Sequence, residues 1–177
     1  MLTEQALLGL TDARVSAAVQ LVWREARLLD GKRYEEWDRL WAPDGRYVIP
    51  IDPETEDFES ALNMVYDDDR MRRMRIERLT TGYSISAVAA ARTVRTVSNF
   101  VVVEAVVRSE ASEESEGAAI ELNSAQVLVG YKREETFVLG ADLTHRIVFD
   151  DGEPRIARKV IRLLNSQEAV YATGFLL

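Results

Sequence analysis

The sequence predicts an α+β fold, with N-terminal helices packed on one face of a curved, mainly antiparallel sheet. Two observations carry this. Apolar residues in the first part of the chain recur at three- and four-residue steps, the helix period, whereas from Arg92 onward they alternate at two, the strand period. Helices first and a long meander afterwards suit helices segregated to one side of the sheet. No repeat, linker or low-complexity tract divides the chain, so residues 1–177 read as a single domain.

Val15, Ala18, Val19, Val22, Ala26 and Leu29 form one stripe of the first helix. Thr11 is its expected N-cap, with Asp12 in the first turn, Leu10 and Val15 in the staple positions, and Asp30-Gly31 as the stop. A short second helix carries Tyr34, Trp37 and Trp41 on its only apolar side and closes at Pro43 with Asp44-Gly45. Residues 46–51 read as a strand with Tyr47, Ile49 and Ile51 on one face. The acidic, irregular stretch 52–69 reads as a solvated loop. It ends at a helix N-terminus, where Asp67, Asp68 and Asp69 meet the favourable end of the dipole. In the helix over 70–79, Met71, Met74, Ile76 and Leu79 share a wide arc with Arg72, Arg75 and Arg78. Guanidinium groups inside an apolar face need partners. The expected partners are carboxylates of a neighbouring subunit; the alternatives are Asp67–Asp69 and Glu77 of the same chain, or plain solvation.

Four strands follow, over 93–108, 118–132, 136–149 and 155–164. The acidic run 110–117, Arg133-Glu134-Glu135 and the DDGEP stretch at 150–154 supply the turns. In the third strand Phe137, Leu139, Ala141, Leu143, His145, Ile147 and Phe149 line one face.

Composition narrows the chemistry. A net charge of −8 argues against nucleic acid, which demands a basic face, and against anionic membrane surfaces. No apolar run approaches the roughly 20 residues of a membrane-spanning helix. The first fifteen residues lack the basic and apolar regions of a secretory signal. With no cysteine, the chain reads as a cytoplasmic protein. Iron–sulfur, haem and tetrahedral zinc sites need cysteine or clustered histidine, and one histidine builds none of them.

That histidine, His145, is the most tempting catalytic candidate. Asp142 lies three residues away on the same strand, so the two side chains point to opposite faces and do not pair. His145 therefore reads as a core histidine hydrogen-bonded among apolar neighbours. Asp67-Asp68-Asp69 lacks the alternating ligands and glycine of a calcium loop and reads as a helix cap. Glu35 and Glu36 diverge by about 100° on a helix and make a poor acid–base pair. Ser98 and Ser124 have no nucleophile-elbow context, and TTGYS lacks the spacing and lysine of a phosphate loop.

Four blocks in order carry a resemblance: EARLLDGKRYEEWDRLWAPDGRYVIP (25–50), YDDDRMRRMRIERLTTG (66–82), RTVRTVSNF (92–100) and RIARKVIRLLN (155–165). Over about residues 20–165 the chain resembles the small (β) subunits of aromatic-ring-hydroxylating dioxygenases. One departure is Ala89-Ala90-Ala91 before Arg92-Thr93, where that family often carries a proline and a serine. The resemblance implies a cystatin-like or nuclear-transport-factor-like cone. It also implies a non-catalytic assembly subunit of an α3β3 terminal oxygenase, self-associating as a trimer. A large α subunit would hold a Rieske [2Fe–2S] cluster and a mononuclear iron, and would hydroxylate or dihydroxylate aromatic compounds. Electrons would come from NAD(P)H through a reductase. No cofactor, metal or catalytic residue is then expected in this chain. Its expected interface residues are Arg72, Arg75, Arg78, Arg92, Arg95, Trp37, Trp41 and Phe175, although the Tyr34, Trp37 and Trp41 stripe reads as core before interface. The competing reading is a stand-alone acid–base enzyme of the same cone (an isomerase, dehydratase or cyclase) using His145 in the central cavity. Convergent titratable groups in that cavity would favour the enzyme. An open apolar pocket without titratable pairs would favour a third reading, a ligand-binding module.

Overall fold

The computed structural model describes residues 9, 11–81, 91–106, 119–166 and 175–177. Leu10, residues 82–90 and the 110–117 turn lie outside the described residues. The elements run α1 (Ala13–Asp30), α2 (Tyr34–Asp38), β1 (Trp41–Pro50), β2 (Asn63–Asp67), α3 (Asp69–Thr80), β3 (Arg92–Val106), β4 (Ala119–Lys132), β5 (Glu135–Asp150) and β6 (Glu153–Leu163). The expected α+β architecture is present. Among the described residues six strands form one sheet in the order β2-β1-β6-β5-β4-β3. All neighbours are antiparallel except β1 and β6, which run parallel and make the sheet mixed.

α1 buries its stripe (Val15, Ala18, Val19, Val22, Ala26 and Leu29) in one cluster with the inward side chains of β4 and β5. Its N-cap is Asp12 rather than Thr11. The Asp12 carboxylate accepts from the Arg14 N–H at 2.9 Å and pairs with the Arg14 guanidinium. A carboxylate at this position satisfies an orphan N–H and answers the helix dipole together, so it outcompetes a threonine one residue earlier.

The second helix is shorter than expected. α2 stops at Asp38, and Trp41 opens a strand through Pro43-Asp44-Gly45 instead of closing a helix. The β1–β6 register shifts between Trp41 and Arg46, which accommodates these turn-like residues at the sheet. Gly45 is required there, because a Cβ would lie 2.8 Å from the Trp41 ring and 2.9 Å from the Ile156 carbonyl. Ile51 does not share the inward face with Tyr47 and Ile49: the register shifts at Ile49/Pro50, and Ile51 is exposed beyond the strand end.

Within the stretch expected to be a loop, Asn63–Asp67 pairs antiparallel with β1 as β2. Phe58 packs with Val48, Val160 and Tyr66 in a small second cluster. Asp68 caps α3 by accepting from the Met71 N–H at 2.8 Å.

The meander follows the sequence pattern. Both short hairpins use two-residue turns with φ > 0 at both positions: Arg133-Glu134 (53° and 68°) and Asp151-Gly152 (48° and 83°). This backbone matches the twist of antiparallel strands. Asn99 (φ 56°) marks a bulge in β3. The bulge switches the inward face from Thr93, Arg95 and Val97 to Phe100 and Val102. The face of β3–β4–β5 turned away from the helices carries a cross-strand valine row. Val94 pairs with Val129 and Val129 with Val138, and they are 70%, 43% and 61% exposed. Val127, Tyr131 and Leu164 are further exposed apolar residues.

Candidate functional site

The centre of the helix-covered face is charged. Glu25 of α1 and Lys159 of β6 project into it beside His145 of β5, and each is at most 1% exposed. β5 and β6 place His145 opposite Lys159 in register. Lys159 Nζ donates to Glu25 Oε1 at 3.0 Å, Trp37 Nε1 donates to the same oxygen at 2.9 Å, and His145 Nε2 lies 2.9 Å from Oε2.

Burial alone would raise the Glu25 carboxyl. The Lys159 charge and the hydrogen bonds from His145 and Trp37 outweigh it and hold the group well below the usual carboxylate range. Burial pulls His145 below its ordinary value despite Glu25, and pulls Lys159 down as well. A neutral imidazole against an ionised carboxylate must donate through Nε2, which leaves Nδ1 as a bare acceptor. Nδ1 has no hydrogen-bond partner among the described residues.

Residues 175–177 lie over this cluster and are held by their main chain. Arg95 Nη2 donates to the Leu176 carbonyl at 3.0 Å. Lys159 Nζ and Tyr47 Oη both donate to the main-chain oxygen of Leu177 at 3.1 Å. The Tyr47 hydroxyl also accepts from the Leu177 N–H at 3.1 Å. Phe175 stacks on Phe137, with ring centroids 6.0 Å apart and planes at 19°. Arg95 is anchored in turn by Asp30 at the end of α1, through Nε at 2.9 Å and its own N–H at 2.9 Å. Trp37, Trp41 and Tyr47 pack edge to face around the cluster, with centroids 5.4 to 6.0 Å apart.

Most of the expected interface residues are therefore spent inside their own chain. Arg72 is 1% exposed. It lies over the Trp41 ring at 4.3 Å, donates to the Gly45 carbonyl at 2.6 Å and pairs with Asp38 and Asp69. Arg75 makes a two-pronged pair with Asp67 at 2.6 and 2.9 Å. Arg95, Trp37, Trp41 and Phe175 are buried as described. Arg72, Arg95, Trp37, Trp41 and Phe175 therefore have little side-chain surface to offer a partner, whereas the Arg75 side chain is 30% exposed. Arg78 and Arg92 remain at the surface.

Asp142 is exposed while His145 is fully buried, so the two are on opposite faces as the alternation requires. Glu25 and Lys159 are the members of the site that sequence reasoning missed, and the inward face is less apolar than it predicted. The signal existed. Glu25 stands on the buried stripe, three residues after Val22 and four before Leu29, where a charged residue demands a buried partner.

On the opposite sheet face, an open groove of about 640 Å³ is bordered by Glu54, Glu56, Asp142, Arg158 and Arg162. Arg162 pairs with Glu56 at 2.8 Å, and Arg158 with Glu121 at 2.9 Å. Among the described residues no group of three or more His, Asp or Glu side chains could hold a metal ion. Glu25 and His145 alone, with an ammonium group against them, do not fit an iron site. Among the described residues no helix is long and apolar enough to cross a membrane.

Comparison with known proteins places this geometry. A family model described as "Ring hydroxylating beta subunit" matches residues 24–168. The chain is 35% identical over 99 residues to the benzene 1,2-dioxygenase subunit beta of Pseudomonas putida, covering 51% of this chain and 53% of that protein. It is 31% identical over 93 residues to the toluate 1,2-dioxygenase subunit beta of Pseudomonas putida, covering 50% and 57%. The matched stretch thus spans about half the length of these curated relatives. A longer match, 23% identical over 151 residues and covering 82% and 83%, is to the benzoate 1,2-dioxygenase subunit beta of Acinetobacter baylyi. Two solved structures share the fold. The beta subunit of the benzoate 1,2-dioxygenase of Burkholderia mallei superposes with TM-score 0.68 at 18% identity, covering 92% of this chain and 97% of that one. A chain of naphthalene 1,2-dioxygenase with indole bound in the active site gives 0.69 at 16% identity, covering 96% and 88%.

Proposed function

Because this chain belongs to the family of ring-hydroxylating beta subunits, we propose that it is the non-catalytic assembly subunit of a cytoplasmic terminal oxygenase acting on aromatic compounds. Its partner in this reading is a large α subunit carrying a Rieske [2Fe–2S] cluster and a mononuclear iron, supplied with electrons from NAD(P)H through a reductase. The two subunits form an α3β3 hexamer in which this chain associates as a trimer.

The observation that carries the reading is a contrast between the two faces of the sheet. The face that could host acid–base chemistry is sealed: Glu25, His145 and Lys159 are inaccessible beneath residues 175–177. The face turned away from the helices is open and carries the Val94–Val129–Val138 row with Val127, Tyr131 and Leu164. Exposed apolar residues grouped in this way on one face mark an interaction surface more than singly scattered ones do. Arg92 borders this patch, and Arg78 lies exposed on α3. Both supply charge for register at a partner's surface.

Light scattering on the chain alone and co-expressed with the large subunit tests the proposal. The expected masses are a trimer or a larger assembly alone, and a hexamer together. Val129→Lys, placed in the middle of the valine row, should shift the mass toward monomer without loss of fold. A stable wild-type monomer under both conditions would contradict the reading.

A further inference from the structure

We infer that the helix-covered face holds a ligand site, filled in this structure by the chain's own residues 175–177, and that its ligand is a small monocarboxylate with an aromatic body. The first ground is how residues 175–177 are held. Arg95, Lys159 and Tyr47 grip main-chain oxygens, not side chains: one donor on Leu176 at 3.0 Å and two on Leu177 at 3.1 Å. Any molecule presenting oxygen acceptors beside an apolar body meets the same grip.

The second ground is what the grip leaves unused. Arg95 is 7% exposed, and its Nη1 has no hydrogen-bond partner among the described residues while Nη2 is bonded to Leu176. One carbonyl oxygen occupies one prong of a guanidinium fork. A carboxylate accepts from two prongs at once. The orphaned N–H thus points to a ligand group with two oxygens. The stacked Phe175–Phe137 pair shows that an aromatic ring fits against the wall beside it.

The third ground is energetic. Glu25, Lys159, Arg95 and His145 are all buried in one region. Buried ion pairs are weak contributors to stability, because desolvation costs several kcal/mol per ion and is repaid only when every polar atom is satisfied. Here Arg95 Nη1 and His145 Nδ1 are not satisfied among the described residues. A core shaped for stability alone would carry leucines at these positions. A polar, incompletely satisfied lining beneath a main-chain plug is the construction of a binding site.

The inference is independent of the assembly reading, because its test needs only this chain. Calorimetry with 3-phenylpropanoate compares the full chain with two variants: one lacking residues 175–177, and one carrying Phe175→Ala, Leu176→Ala and Leu177→Ala. Both variants are checked for fold by circular dichroism. The expected result is at least tenfold tighter binding by the variants than by the full chain, and at least tenfold weaker binding of 3-phenylpropanamide than of the acid. Acetyl-Gly-Phe-Leu-Leu should compete. Arg95→Met in the triple-alanine background should abolish the preference for acid over amide. Equal binding by full chain and variants, no binding by a folded variant, or a preference unaffected by Arg95→Met would overturn the inference. If neither variant folds, residues 175–177 are an indispensable part of the core, and the inference is overturned equally.

Discussion

Glu25 and Lys159 face each other at 3.0 Å with side chains 2% and 1% exposed, so neither charge has solvent to fall back on. Glu25→Gln keeps an oxygen for Trp37 and removes the negative charge that Lys159 meets at 3.0 Å. Removing one member of a buried ion pair costs about 3–5 kcal/mol. At this chain length that is a fall in Tm of about 6–20 °C. Lys159→Met strands the carboxylate instead and should cost a similar amount. The double variant Glu25→Gln/Lys159→Met leaves no uncompensated charge and keeps the Trp37 contact. It should therefore cost at least about 2 kcal/mol less than the two single changes added together, within the range measured for contacting residues. Thermal and urea unfolding of the four proteins at pH 7 measure the cycle. Additivity within about 0.5 kcal/mol would refute the placement of this pair at the centre of the network.

The pH dependence of stability has a definite sign. Burial lowers the folded pKa of His145 below its ordinary 6.5, so between that value and the folded one the unfolded chain takes up a proton that the folded chain refuses. Stability then falls as pH drops below 6.5, with a slope that cannot exceed about 1.4 kcal/mol per pH unit for one proton. His145→Gln should flatten urea-unfolding free energies over that window, and an unchanged slope would contradict the assignment. Glu25, whose folded pKa is depressed, acts below its ordinary 4.5: its stabilisation is present above that value and is lost as pH falls toward the folded one. Gly130 sits opposite Phe137 across β4 and β5, and a Cβ there would run into the Phe137 ring. Gly130→Ala should cost about 1–3 kcal/mol by overpacking and dislodge Phe137 from Phe175, seen as a lower Tm and altered near-ultraviolet dichroism. An unperturbed Tm would show that the ring has room.

What the sequence made legible was what local period dictates. The α1 stripe, α3 and the β3–β6 meander were readable because each alternates or repeats over more than ten residues, with turn residues such as Asp151-Gly152 between them. β2 was missed because Asn63–Asp67 is five residues long and adjoins an acidic run, so its pattern is too short to stand out. Trp41 was misplaced because Pro43-Asp44-Gly45 carries every mark of a helix stop. Only the parallel partner β6, more than a hundred residues away, turns that stretch into sheet. The arginines of α3 show the same limit. Helical spacing placed Arg72 within an apolar arc, but the Trp41 ring and Asp38 that receive it come from other elements. His145 was rightly placed on the inward face and rightly separated from Asp142. Its true partner, Glu25, sits 120 positions away on α1.

The division of labour between subunits is tested most directly by iron and turnover. The chain purified alone, and the complex with its large subunit, should be assayed for bound iron and for oxidation of an aromatic substrate with a reductase and NAD(P)H. The account predicts a colourless, iron-free and inactive lone chain, with iron and activity appearing only in the complex. Stoichiometric iron in the lone chain, or substrate oxidation by it unaided, would contradict the account.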